Sequence, residues 1–551
     1  MRRSGTNSFR QIGRREFVRL CAGSMAATAF GCGRRDDYAR SKDSTITVLY
    51  GPDEWLLGPS GDDPPKFLVF LPLVTRSANG DFEGRLAQSW EHSPDYKRWT
   101  VRLRKDVCWH DGVPVTAHDI KFTLDLLMHP DVLWIAAGAY AVTVLDDWTY
   151  GITYHVRAIN SARLCGCPED DDYTVCWPKH LLEKLDPKEL NSWSFWTHPI
   201  GNGPYRYVRH IPETMMELEA NPNYYRGKPR IERVVLKFGD PSTPEATTEL
   251  LSGNVDAVPK INRVDLLNLN CDSRFRIYDA PMGGDFSSGA DAVVCILWNE
   301  RYPQFQDPKV RRALTLAIDR REVHQVLNLP ENIPVFDLIF SDRQFRRGEL
   351  PEALPYDPEL AKRLLDEAGW REENREGLRQ RDGEPFRFTA LVTSVLGEDK
   401  AAVYVQAQLR RVGLQMELSP LEWSASRKRI MAGEFEAAIP PIWLLEEDSR
   451  RLFGEAATSD ASASLGHRAS IGFRNPRITT LLDAAANTFN PAERDRIYRR
   501  LWPVWEAELP ATFLYPEVDT TVARTRVRGL SSPWRADPVW HMDELWLAKE
   551  S

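Results

Sequence analysis

Beyond its N-terminal segment the sequence has no long apolar run. A membrane-spanning helix needs roughly 20 consecutive apolar residues, and nothing after residue 31 approaches that. The catalytic patterns most legible in sequence are also missing. There is no G-x-S-x-G turn, no H-E-x-x-H helix and no P-loop, so nothing local points to a serine hydrolase, a zinc protease or an NTPase. Basic charge is not in surplus, with 71 Lys and Arg against 79 Asp and Glu, a net of −8. A nucleic-acid partner would want a basic face, so that class is excluded as the expectation. No internal repeat or long low-complexity segment appears, which leaves ordinary globular domains. At 551 residues the chain has room for two or more of them.

The first 31 residues read as an export signal. Arg14 and Arg15, then Glu16 and Phe17, precede a short, weakly apolar run of small residues. This resembles a twin-arginine signal. "AFGCG" resembles a lipoprotein cleavage site with Cys32 as the lipidated residue; the alternative is cleavage nearby with Cys32 removed. Residues 32–43 read as a polar tether. The signal holds six Arg and one Glu, so its removal takes the net charge from −8 to −8 − 5 = −13.

Six cysteines lie beyond Cys32: Cys108, Cys165, Cys167, Cys176, Cys271 and Cys295. Export makes disulfides chemically accessible. A small loop from Cys165 or Cys167 to Cys176 is one reading of "CGCPEDDDYTVC". A thiolate metal cluster is the other, although no His accompanies these thiols.

The stretch "CWHDGVPVTAHDIKF" holds two His-Asp pairs, His110-Asp111 and His118-Asp119. Metal ligation or acid-base work needs such groups. Local structure needs most of them too. Asp111-Gly112 is a turn pair. Thr116 followed by Asp119 fits a capping box, ahead of a helical stripe of Ile120, Leu124 and Leu127. Upstream, "WTVRLRKDV" alternates as a half-buried strand does. Downstream, Asp307-Pro308 and Asp357-Pro358 each open a helix, Gly369 and Gly413 end helices, and residues 475–510 read as two helices with Pro503 inside the second. Helices alternate with short strands, which is a mixed α/β pattern.

Taken in order, several blocks resemble the solute-binding proteins of ABC transporters, in the family 5 class for peptides, nickel and opines. They are "LAQSWEHSPDYKRWTVRLRKDVCWHDGVPVTAHDIKFTL", "PIGNGPYRYV", "NPNYYRGKPRIERVVLKF", "LLSGNVDAV", "LWNERYPQFQDPKVRRALTLAIDR" and "YDPELAKRLLDEAGW". The resemblance implies an α/β, two-lobed periplasmic-binding-protein-like fold with an extra subdomain and a cleft between the lobes. Lobe I would span residues 44–285, including an inserted subdomain at about 88–190. Lobe II would span 286–515, and residues 516–551 would return to lobe I. Closure on a small solute, such as an oligopeptide, would present it to ABC permease subunits. The chain would act as an exported monomer at the periplasm or the outer face of the cytoplasmic membrane, with no cofactor, no metal and no catalytic residue.

In peptide-binding members an acid that follows a conserved aromatic pairs with the α-ammonium. Here Trp443 matches the aromatic and Glu446 falls at the acid, with Glu447 and Asp448 adjacent. The family's Tyr and Pro are missing, so a solvated acidic helix start is the other reading. Asn299, after the strand "VVCILW", is a further cleft candidate, with backbone capping as its alternative. Arg311 and Arg312 read as structural charges. Alternative cargoes are an oligosaccharide, an opine or a metal chelate; alternative roles are a non-transport sensor and an exported hydrolase using these carboxylates or the His-Asp pairs.

Overall fold

The computed structural model describes residues 44–51, 65–76, 82–132, 139–155, 174–263, 266–269, 272–281, 292–338, 344, 348–394, 397–443, 471–532 and 536–549. Arg14, Arg15, Cys32, Cys165, Cys167, Cys271, Glu446, Glu447 and Asp448 lie outside them.

Two sheets organise the chain. The first uses β1 (Thr45–Leu49), β6 (Tyr205–Ile211), β7 (Met215–Ala220), β8 (Arg233–Lys237), β9 (Ala257–Val258), β10 (Phe275–Pro281) and β17 (Val518–Arg524), in the order β10-β17-β9-β1-β8-β7-β6. Strand β1 is parallel to both β8 and β9, so the earliest strand sits between two much later ones. The second sheet uses β11 (Ala292–Trp298), β12 (Arg387–Val392), β13 (Gln415–Pro420), β14 (Ala437–Ile439) and β15 (Pro441–Trp443), with β16 (Ala511–Pro516) paired to β11. A four-stranded antiparallel sheet, β2 (Ala87–His92), β3 (Arg98–Leu103), β5 (Thr149–Tyr154) and β4 (Tyr140–Asp146), forms a subdomain.

Strand β11 shows why the second sheet is deeply buried. Its alternate residues feed two separate cores. Val293, Cys295 and Leu297 join one; Val294, Ile296 and Trp298 join the other. Period-two alternation sends neighbours to opposite faces, and both faces are covered, so the strand reads as an unbroken apolar run. Strand β3 has one covered face, with Trp99, Val101 and Leu103 buried between exposed or half-exposed neighbours.

The helices start where their caps dictate. Helix α1 (Ala117–Leu127) begins after Thr116, whose backbone N–H donates to Asp119 Oδ2 at 2.9 Å. In lobe II, α2 (Pro308–Leu316), α3 (Arg320–Val326) and α4 (Pro358–Glu367) have Asp307, Asp319 and Asp357 accepting from first-turn amides. Helix α5 (Glu398–Arg411) runs to Gly413, which has φ +83°. Helices α6 (Pro476–Ala486) and α7 (Pro491–Glu508) follow caps Asn475 and Asn490. No described helix is long and apolar enough to cross a membrane.

Candidate functional site: the cleft at the lobe crossing

The lobes are joined where strands of the two sheets run on into each other. Strand β16 passes into β17 through the single residue Glu517, whose N–H donates to Ala292 O at 2.7 Å. Beside it, β10 ends with Pro281 opposite Val518, and near the start of β11 Val293 stands opposite Pro516. The β16–β17 link is thus a crossing between the sheets, with the end of β10 and the start of β11 beside it. So short a crossing is what a hinge requires, since a few residues can absorb the rotation while both sheets stay intact.

Strand direction places the cleft. In the first sheet the carboxyl ends of β1, β8 and β9 lie at the Val518 end, because β9 pairs antiparallel with β17 through Val258 and Val522. In the second, β12 and β14 are parallel, and β14 runs antiparallel to β11, so their carboxyl ends lie at the Ala292 end. Both sets of carboxyl ends converge on the crossing. Open α/β sheets bind ligands in the crevice outside the carboxyl ends of their strands.

Trp443 lies at this end. Strand β15 pairs with β11 so that Trp443 opposes Ala292, the first described residue after the crossing. Asn299 lies at the other end of the same strand, roughly 20 Å of extended chain away. It is fully buried. Its amide nitrogen donates to Gly433 O at 3.3 Å and Phe435 O at 2.5 Å, and its oxygen accepts from Arg301 N at 3.2 Å. The structure thus separates Trp443 from Asn299, whose side chain joins its own turn to the Gly433 and Phe435 carbonyls.

Arg311 is buried at that far end too. It donates to Phe305 O, Gln306 O and Glu508 O, and its Nη1 lies 3.2 Å from Glu300 Oε1. Burial raises Glu300 to about 7, with the Arg311 charge opposing and Glu508 adding. Arg312 pairs with Glu506 on the surface at 3.5 Å. Both arginines serve the frame of lobe II.

The His-Asp stretch has local partners. His110 accepts from Gly201 N at 3.2 Å through Nδ1 and places Nε2 3.1 Å from Gly203 O. Burial lowers its pKa to about 4, against the Gly203 hydrogen bond and assisted by Arg206. Asp111 contacts His180 at 2.9 Å, and half-exposed His118 lies 3.6 Å from Asp147. Asp119 accepts from Lys179 N at 2.9 Å as well as from Thr116. Among the described residues no three His, Cys, Asp or Glu side chains are grouped as metal ligands. Cys108, Cys176 and Cys295 are free thiols.

Two contacts between the lobes have no counterpart in the sequence reading. Arg263, in lobe I, donates through Nη1 to Asp279 on β10 at 2.5 Å and to Thr520 on β17. Its Nε and Nη2 reach Asn328 O, just past α3 in lobe II, at 3.0 and 2.6 Å. Phe489, before α7, packs into the lobe I core. Nothing in "INRVDLL" announces the first contact. For the second a signal exists: an apolar residue preceding the cap Asn490, with Arg494 where a staple partner would stand.

Two α/β lobes joined through the β16–β17 crossing, with strand carboxyl ends converging on it, define a protein that binds solutes between lobes. The family model for bacterial extracellular solute-binding proteins, family 5, matches residues 81–450, and the chain belongs to that family. A Brucella ovis relative whose name places it among ABC transporter peptide-binding proteins is 28% identical over 457 residues, 80% of each chain. The oligopeptide-binding protein AppA of Bacillus subtilis is 25% identical over 482 residues, 84% of this chain and 83% of AppA. Its structure with a nonapeptide matches with TM-score 0.63 at 23% identity, covering 92% of this chain and 99% of AppA. The structure of Brucella suis NikA with Fe(III)-EDTA matches with TM-score 0.73 at 20% identity, covering 92% and 100%.

Proposed function

We propose that this chain is the exported capture component of an ABC importer, taking a peptide-like solute into the cleft by hinge closure and handing it to a membrane permease. The observation that carries this reading is the convergence of both sets of strand carboxyl ends on the β16–β17 crossing. The peptide assignment draws on the names of the Brucella ovis and Bacillus subtilis relatives. Binding needs no covalent chemistry. Water exclusion and a few placed polar groups supply affinity, and the solute shifts the open–closed balance by its preference for the closed form.

Within the cleft we assign Trp443 as an apolar wall and Glu446 as the partner of a cationic group, with Glu447 beside it. Trp443 opposes the crossing in register. Asn299 supports the site through the segments it joins, its own turn and the stretch carrying Gly433 and Phe435. Arg14 and Arg15 direct export, and Cys32 carries the lipid that tethers a monomer to the membrane. Intact mass of the exported chain reads the cleavage site and the acyl group together; an unacylated chain lacking Cys32 would refute the anchor.

A thermal-shift screen tests the cargo. A solute that binds only the folded chain raises its unfolding midpoint. Oligopeptides are expected to do so. A shift with sugars, opines or metal chelates and none with peptides would refute the peptide assignment.

A further inference from the structure

Phe489 sits in the turn between α6 and α7, which belong to lobe II, yet its ring is only 8% exposed because it enters the core of lobe I. The ring lies 6.4 Å from that of Tyr154 on β5 of the subdomain, and Lys97 Nζ stands 5.4 Å from its centroid. Tyr154 is itself buried, while Lys97 belongs to the turn between β2 and β3. Local sequence explains why the ring is available. A hydrophobic residue ahead of an N-cap ordinarily staples to the fourth helical residue. Here the cap is Asn490 and that residue is Arg494, which offers no apolar surface of the usual kind. The ring therefore packs across the gap.

Position makes this contact mechanical. After α7 the chain reverses at Leu509 and returns as β16, with Trp505 stacking on Phe513 at 6.2 Å. Strand β16 runs toward the crossing, so the first turn of α7 lies at the cleft-facing end of lobe II. A lobe rotation that opens the cleft pulls Phe489 out of its seat and exposes an aromatic face that water solvates poorly. Both partners of the ring come from the other lobe and none is a cleft residue assigned above.

We propose that Phe489 is a positioning residue for closure: an aromatic latch that raises the closed fraction of the chain, and with it solute affinity, without touching solute. The proposal rests on the hinge-closure reading. It adds that part of the closing tendency is built in and present before any solute binds.

Small-angle scattering of the full chain without solute tests it, comparing wild type, Phe489→Leu and Phe489→Ala. The expected result is a radius of gyration that shifts upward in that order, with the thermal midpoint of each lobe's unfolding little changed. Equal radii would overturn the latch. So would a loss of thermal stability in Phe489→Ala without expansion, which marks an ordinary core residue. Should Phe489→Ala fail to fold, Lys97→Ala, on the other lobe, is expected to expand the chain by a smaller shift, and an unchanged radius there overturns the proposal. Solute-driven compaction that survives such a failure would leave hinged binding standing and remove only the latch.

Discussion

Glu446 carries the sharpest single-residue claim. A carboxylate that holds a buried cationic group makes a charge-assisted hydrogen bond, roughly twice as strong as a neutral one. Glu446→Gln keeps the shape and removes the charge. Solute affinity is expected to fall roughly tenfold or more, equivalent to about 1.4 kcal/mol, with the unfolding midpoint unmoved. Calorimetric titration with the peptide found by screening reads this, and unchanged affinity would refute the role. His110 carries a second claim, about stability. Burial holds its imidazole pKa at about 4, below the ordinary 6.5. Between those values the unfolded chain binds a proton that the folded chain does not, so this contribution to stability is lost as pH falls from about 6.5 toward 4. His324, buried against Leu514 O, acts in the same direction, while Glu300, raised to about 7, opposes it. The loss of thermal midpoint between pH 6.5 and 4.5 is expected to be shallower in His110→Gln than in wild type. Identical slopes would contradict the assignment.

At the scale of elements, Asp119 shows what the His-Asp stretch is for. One carboxylate oxygen closes the first turn of α1 on Thr116, and the other accepts from Lys179 N, tying that helix to the segment before the subdomain's return. Thr123 adds a bond from Trp177 N at 2.7 Å. Asp119→Ala strips two backbone amides of their partner and is expected to cost about 1–2 kcal/mol, measured by urea unfolding, while solute affinity stays unchanged. Local features of this kind were legible in the sequence. The caps Asp307 and Asp357, the Gly413 stop and the alternation of β3 are each set by neighbours a few residues apart, and the structure has them where the residues require. Sheet order was not legible. Strand β1 pairs with strands about two hundred residues on, and no local pattern encodes that register. The same holds for the surroundings of Asn299. The sequence identifies a strand end there, but which end faces the crossing is decided by antiparallel pairing with β16, over two hundred residues away. The register that sets Trp443 opposite Ala292 is likewise long-range and not written in any local pattern.

For the whole molecule, the account treats function as a redistribution between open and closed lobes. Arg263 ties the lobes beside the crossing, where little movement is needed, and Phe489 ties them across the cleft. On the latch proposal, the second contact sets part of the balance. A solute acts on what remains, and only through its differential affinity for the closed form. The most direct test of this claim is small-angle scattering of the wild-type chain titrated with the oligopeptide that thermal shift identifies. The account predicts a radius of gyration that decreases in step with occupancy and saturates with it. Binding that saturates while the radius stays constant would contradict it.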